Sequence, residues 1–222
     1  MHFEIKLSSC FAGLSSSRLQ FLSIGNLRVE NQESGLKLML ENLKAPEVEK
    51  VFTALQCSKR VTGITIISSD ISDIDEDLLA NVLSRMISVR LSKTSLTSSQ
   101  MTKFFCKLRM TFEMEELNIS GNLMSKIPAK ELAMSLVKIK SITLEYTYLT
   151  EDQTTHLLKA AMEETSRLEH IKLGTFGYGW MDGRDVSHKL PTNLKQLLSD
   201  VKKSGKVKVE LDKFDYIKFN II

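Results

Sequence analysis

The chain has few of the residues that mark several common protein classes. It has 3 cysteines in 222 residues. Cys10, Cys57 and Cys106 are far apart and odd in number, with no CxxC pair, which argues against a disulfide framework and for a reducing compartment. Neither sign of charge is in clear surplus: 30 basic residues against 27 acidic ones leave a net charge of +3. That balance gives no reason to expect nucleic acid or an anionic membrane as the main partner. No apolar run approaches the roughly 20 residues of a membrane span. At the start, Phe3, Ile5 and Leu7 alternate with Glu4 and Lys6 like a strand, and a signal peptide would need an unbroken apolar stretch. A cytoplasmic or nuclear location is therefore expected. His2, His156, His170 and His188 share no metal-ligand spacing, so neither a metal nor a cofactor is expected.

What is present is a period. The segment Met114 to Met124, MEELNISGNLM, reads as LxxLxLxxNxL. It puts Met114, Leu117, Ile119 and Met124 inside and Asn122 where turn backbone needs a polar partner. The third apolar position of this frame falls at Leu38, Ile66, Leu91, Ile119, Leu144 and Leu173, in steps of 28, 25, 28, 25 and 29 residues. The alternation points to a paired unit. At an offset of 53, Ile74 meets Ile127, Leu79 meets Leu132, Ser88 meets Ser141, Thr94 meets Thr147 and Gln100 meets Gln153. Self-similarity in this range of periods marks repeat architectures.

Between the expected strands the apolar spacing turns helical: Leu79, Val82, Leu83, Met86; Met101, Phe104, Phe105, Leu108; Leu157, Leu158, Ala161. Thr97 with Gln100 and Thr150 with Gln153 are capping boxes. Pro46 and Pro128 suit first helical turns, and Asp73, Asp75, Glu76 and Asp77 suit a helix start better than a calcium loop. The polar turn position carries Ser69, Thr94, Asn122 and Thr147, short side chains able to bond turn backbone. Cys57 and Cys106 are expected at core or boundary positions, and the methionines as core filling.

The expected fold is α/β: a right-handed solenoid, arc-shaped, with a parallel sheet inside and helices outside. Strands pack about 4.8 Å apart and helices no closer than about 8–10 Å, so stacked strand–helix units must bend. The expected organisation is 1–35 as an N-terminal cap or irregular repeat, 36–174 as regular repeats, and 175–222 as an aromatic loop, a helix and cap strands. In the first part Leu19, Leu22, Ile24 and Val29 fit the frame, but the next fit comes too soon for an intervening helix. Extended segments turning at Asn31 to Gly35 are expected there, and a native cap and a truncated repeat read alike. Near the C-terminus a helix is expected from about Pro191 to Lys203, followed by one or two strands through Val207, Val209 and Leu211.

VTGITIISSDI (61–71), ISVRLSKTSL (87–96), MEELNISGNLM (114–124), IKSITLEYTYL (139–149) and LEHIKLG (168–174) resemble leucine-rich repeats of the ribonuclease-inhibitor type. The resemblance covers roughly 36–173. It implies binding of a protein partner on the concave face or its rims, as a scaffold or inhibitor. An alternative it also implies is regulation of a partner enzyme, as a GTPase-activating module or a ubiquitin-ligase substrate-receptor arm. No F-box or nucleotide-binding segment is present. No catalytic motif matches, so the chain is expected not to be an enzyme, and GTFGYG lacks the Lys-Ser/Thr of a phosphate loop.

By register, the residues facing the partner side are Thr65 and Ile67; Arg90, Ser92 and Lys93; Glu116, Asn118 and Ser120; Thr143, Glu145 and Tyr146; His170 and Lys172. As a set, mixed charge with one aromatic suits a protein better than a polyanion. Phe176, Tyr178 and Trp180, on a glycine-rich loop, form a second contact candidate at the C-terminal rim. The partner's identity and the oligomeric state are left open.

Overall fold

Apolar residues at every second position make strands with one buried face, and apolar residues at three-four spacing make helices with one buried stripe. In the computed structural model these two patterns alternate along the chain. Residues 21–211 are described, apart from 25, 33–34, 57, 59, 112–113 and 175–190. Nine described strands form one open α/β sheet in simple chain order. They are β1 (Phe21–Ile24), β2 (Leu27–Gln32), β3 (Gly35–Glu41), β4 (Val61–Ile67), β5 (Ser88–Ser92), β6 (Glu116–Asn118), β7 (Ser141–Leu144), β8 (His170–Leu173) and β9 (Lys208–Leu211). From β3 onward every pairing is parallel. Between those strands run the six described helices: α1 (Ala45–Gln56), α2 (Glu76–Leu83), α3 (Ser98–Leu108), α4 (Ala129–Leu136), α5 (Glu151–Met162) and α6 (Thr192–Ser204).

The first strands depart from this regularity. β1 pairs with β2 and β2 with β3 in antiparallel fashion. The extended segments expected to turn between Asn31 and Gly35 are there, as two strands bounded by Gln32 and Gly35. At the other end β9 pairs in parallel with β8, a strand at the place where one or two were expected. The expected helix before it runs from Thr192 to Ser204, burying Leu194, Leu198 and Val201 and stopping at Gly205 with φ +64°.

One core runs the length of the sheet. Leu38, Ile66, Leu91, Ile119, Leu144 and Leu173, the six expected frame positions, are all at most 1% exposed, but the register corrects the first of them: Leu40, also fully buried, lies opposite Ile66, and Leu38 lies opposite Ile64. The buried faces of all six helices join them, so the described helices lie on one side of the sheet. Two expectations fail at the surface. Cys106 is exposed on α3, because α3 turns Met101, Phe104, Phe105 and Leu108 inward and leaves its position on the outer side. Met86, Met101, Met114 and Met124 do fill the core, but Met110 and Met134 are exposed.

The polar turn positions work as their chemistry requires. Asn122, 2% exposed, accepts at Oδ1 from Thr94 N (3.3 Å), Leu96 N (3.3 Å) and Thr94 Oγ1 (3.0 Å). Its Nδ2 donates to the carbonyls of Leu91 at 2.9 Å and Ile119 at 3.1 Å. Ser69 Oγ accepts from Leu43 N at 3.0 Å, and Thr147 Oγ1 donates to Leu144 O at 2.9 Å. One residue earlier the backbone turns left-handed in five successive units, at Asn42, Ser68, Lys93, Gly121 and Tyr146. The amides of the first four donate across to Ile67, Ser92, Ser120 and Glu145 of the next unit.

Both expected capping boxes form, at Thr97–Gln100 and Thr150–Gln153. Their glutamines also do something the spacing did not announce. Gln100 Nε2 donates to the carbonyls of Ile71 and Ile74 in the preceding turn, at 2.8 and 2.7 Å. Gln153 Nε2 repeats this with Met124 and Ile127, at 2.8 and 2.6 Å. Arg85 donates to the carbonyls of Leu55 and Gln56 at the end of α1, and Lys138 to Arg109 at the end of α3. Cations there also offset the negative helix end. Each of these pairs lies 53 residues apart in sequence, which gives the doubled period a physical content.

Candidate functional site

With the helices on one side, the other face of the sheet is lined by the alternate strand residues. One row across it is Lys37, Gly63, Ser88, Glu116, Ser141, His170 and Lys208; the next is Met39, Thr65, Arg90, Asn118, Thr143, Lys172 and Glu210. A depression of about 300 Å³ lies in this face, lined by residues that include Lys37, Thr65, Arg90, Glu116, Asn118 and Thr143.

Most of the expected contact residues lie together here. Arg90 and Glu116 are exposed, and Asn118, Thr143, Glu145, His170 and Lys172 are half-buried. Lys93 and Tyr146 are exposed too, but at the ends of their strands, in the left-handed turn; they belong to the rim. Thr65 and Ser120 are corrected from open to buried, at 3% and 8% exposure. Thr65 sits in register between the longer Met39 and Arg90, and Ser120 Oγ turns back to Asn118 Oδ1 at 2.7 Å. Phe176, Tyr178 and Trp180 lie outside the described residues.

Much of the charge on this face is already engaged. Lys172 pairs with Glu145 at 2.5 Å, Lys208 with Glu210 at 2.6 Å, and Ser88 Oγ donates to Glu116 at 3.1 Å. The hydrogen bond from Lys208, then its charge, holds the Glu210 carboxyl below its ordinary range, with His170 adding to both effects.

Three strands bring together a trio that sequence reading did not foresee. Ser141 Oγ lies 3.3 Å from His170 Nδ1, and His170 Nε2 lies 3.4 Å from Glu210 Oε1. A hydroxyl, an imidazole and a carboxylate in a row have the composition of a nucleophile–base–orienter set. Acyl transfer also needs free N–H donors aimed at the developing oxyanion. The amide of Ser141 is committed to Glu115 O at 2.9 Å and that of His170 to Lys140 O at 3.0 Å. Lys208 competes for Glu210 as well.

A comparison with protein-family models finds no match, and one with curated proteins finds none either. Among the described residues, no group of three or more His, Cys, Asp or Glu is placed to hold a metal ion, and no helix is long and apolar enough to cross a membrane. The residues that sequence reading missed are Ser88, Ser141, Lys37 and Glu210. Ser88 and Ser141 open their strands and Lys37 is the third residue of β3, each one step before a buried core residue, and an explicit register from strand to strand would have placed them.

Proposed function

We propose that the chain is a leucine-rich-repeat solenoid, similar to the ribonuclease-inhibitor type, that binds a protein partner on the open face of its sheet and has no catalytic activity of its own. One observation carries the reading. Every described helix packs on the same side, so a row of polar side chains on adjacent parallel strands stands uncovered around a shallow depression. Strands about 4.8 Å apart tied to helices that need about 8–10 Å imply curvature towards that face, which would make it concave. Neighbouring units bond each other through Asn122, Gln100 and Gln153, so the face is pre-formed and little ordering entropy is lost on association. The Ser141–His170–Glu210 chain fits this reading as a polar network, since the nearest amides are already spent in the ladder.

The test is capture from the source cells with the wild-type chain and with Ser141→Trp/Thr143→Trp, which fills the depression. A partner retained by wild type and by a helix-side control, Lys130→Glu, but lost by the filled variant is the expected result. Equal retention by all three chains would refute the open face as the site.

A further inference from the structure

Opposite charges on the open face close on each other at one end and stay apart in the middle. In β7 to β9 they close: Lys172 pairs with Glu145 and His170 with Glu210 across adjacent strands, and Lys208 pairs with Glu210 along its own. The depression is different. Its wall carries two anions and two cations, Glu30, Glu116, Lys37 and Arg90, so its formal charge is zero. Among the described residues none of these four is ion-paired with another.

Two contacts keep them apart. Lys37 stands directly opposite Glu30, yet its stem leans the other way, over β4: Lys37 Cγ lies 3.2 Å from where a Gly63 Cβ would be. A side chain at 63 would press the lysine back. Glu116 is a diagonal neighbour of Arg90, since its own register partner is Ser88, and its Oε2 accepts from Ser88 Oγ at 3.1 Å. That bond leaves Oε1 for another donor.

This layout selects a ligand with both signs. An anion seated about 4 Å from Arg90 and about 8 Å from Glu116 returns half of its attraction as repulsion, and a lone cation at Glu116 meets the same loss. A ligand carrying both charges keeps both attractions. The spacing suits extended chain. Diagonal positions on adjacent strands are about 7–8 Å apart, and side chains i and i+2 of a strand share one face about 6.7 Å apart. A carboxylate accepts bidentate bonds from a guanidinium, and an ammonium or guanidinium donates to the remaining oxygen of Glu116.

We infer that the depression docks an extended segment of the protein partner in which an acidic and a basic side chain stand two residues apart. The acid lies on Arg90, with Lys37 leaning over β4 from the other side, and the base lies on Glu116. The segment therefore crosses the strands obliquely. The inference rests on the proposed use of the open face and adds the charge pattern of what binds there.

The experiment is selection of a random peptide library on the full-length chain, with the Ser141→Trp/Thr143→Trp chain as the counter-selection. Enriched peptides are synthesised and measured by fluorescence anisotropy. They are expected to carry an acid and a base at i and i+2. Arg90→Glu and Glu116→Lys should each weaken them roughly tenfold or more. The exchange Arg90→Glu/Glu116→Arg should lose the original peptide and bind the one with its two charges exchanged. Both positions are exposed, and thermal melts confirm that each variant folds. Peptides without the pair, peptides indifferent to either single change, or an exchanged chain that does not follow the exchanged peptide overturn the inference. If peptides without the pair are still lost on filling the depression, the open face survives as the site and only the charge pattern falls. If nothing enriches over the filled chain, the inference falls, and the open face is judged by the capture from source cells. Displacement of the peptide by glycine at equal concentration would assign the depression to a free amino acid and overturn the inference as well.

Discussion

Asn122 shows why a single amide recurs as a signature. A turn between a parallel strand and the next element buries amides and carbonyls that no ladder reaches, and only a side chain with both donor and acceptor serves two units at once. Asn122→Leu leaves Thr94 N, Leu96 N and the carbonyls of Leu91 and Ile119 without that partner. We expect a loss of about 3 kcal/mol or more in denaturant unfolding, since each orphaned buried group costs roughly 1–3 kcal/mol. The serine and threonines at the equivalent positions bond fewer groups, so Ser69→Ala should cost less, about 1 kcal/mol. Exposed charge behaves differently. The Glu115 carboxyl is held below its ordinary 4.5 by the hydrogen bond from Lys140, then by its charge. A lowered folded pKa contributes stability above the ordinary value and loses it as pH falls through the lowered one. Glu115→Gln should therefore be less stable than wild type at neutral pH, with the difference shrinking as pH falls through the lowered pKa, in paired thermal melts.

At the scale of the element, the helices start where hydroxyl, glutamine and acidic residues say they should, and this was legible before any coordinates. Thr97 and Thr150 cap α3 and α5 with Gln100 and Gln153 in reciprocal boxes, and Asp75 caps α2 by accepting from Leu78 N. The reach of Gln100 and Gln153 into the preceding turn was not legible, because a capping box is defined by three residues and this contact spans more than twenty. Each glutamine therefore serves its own helix and the unit before it. Gln100→Ala should cost about 2–3 kcal/mol, more than the roughly 1 kcal/mol of a cap alone. With Gln153→Ala the losses should add, because the two share no partners. A double variant that loses no more than either single one would show the contacts to be incidental.

For the whole molecule, the proposed solenoid makes a nearly one-dimensional assembly, in which units touch only their sequence neighbours. Stability then accumulates from interfaces, and the end units have one neighbour instead of two. Hydrogen exchange should be slowest in β5 to β7 and should quicken towards β1 and β9; uniform protection across all nine strands would mean a single cooperative block. The same geometry explains the open face. Crossovers of one hand between parallel strands that follow one another in order put every helix on the same side, so the other side of the sheet is left to whatever binds.

The period, the inward frame, the helix starts and the polar turn positions were determined by the sequence alone, because each depends on residues close along the chain and on the regular pitch of strand and helix. Tertiary structure decided what lies between units: the pairing of Lys172 with Glu145, the burial of Thr65, the meeting of Ser141, His170 and Glu210, and the place of Arg90 in the depression. Those outcomes depend on side-chain length and register across strands some 25 to 40 residues apart, where hydrophobic spacing holds no record of which charge finds a partner.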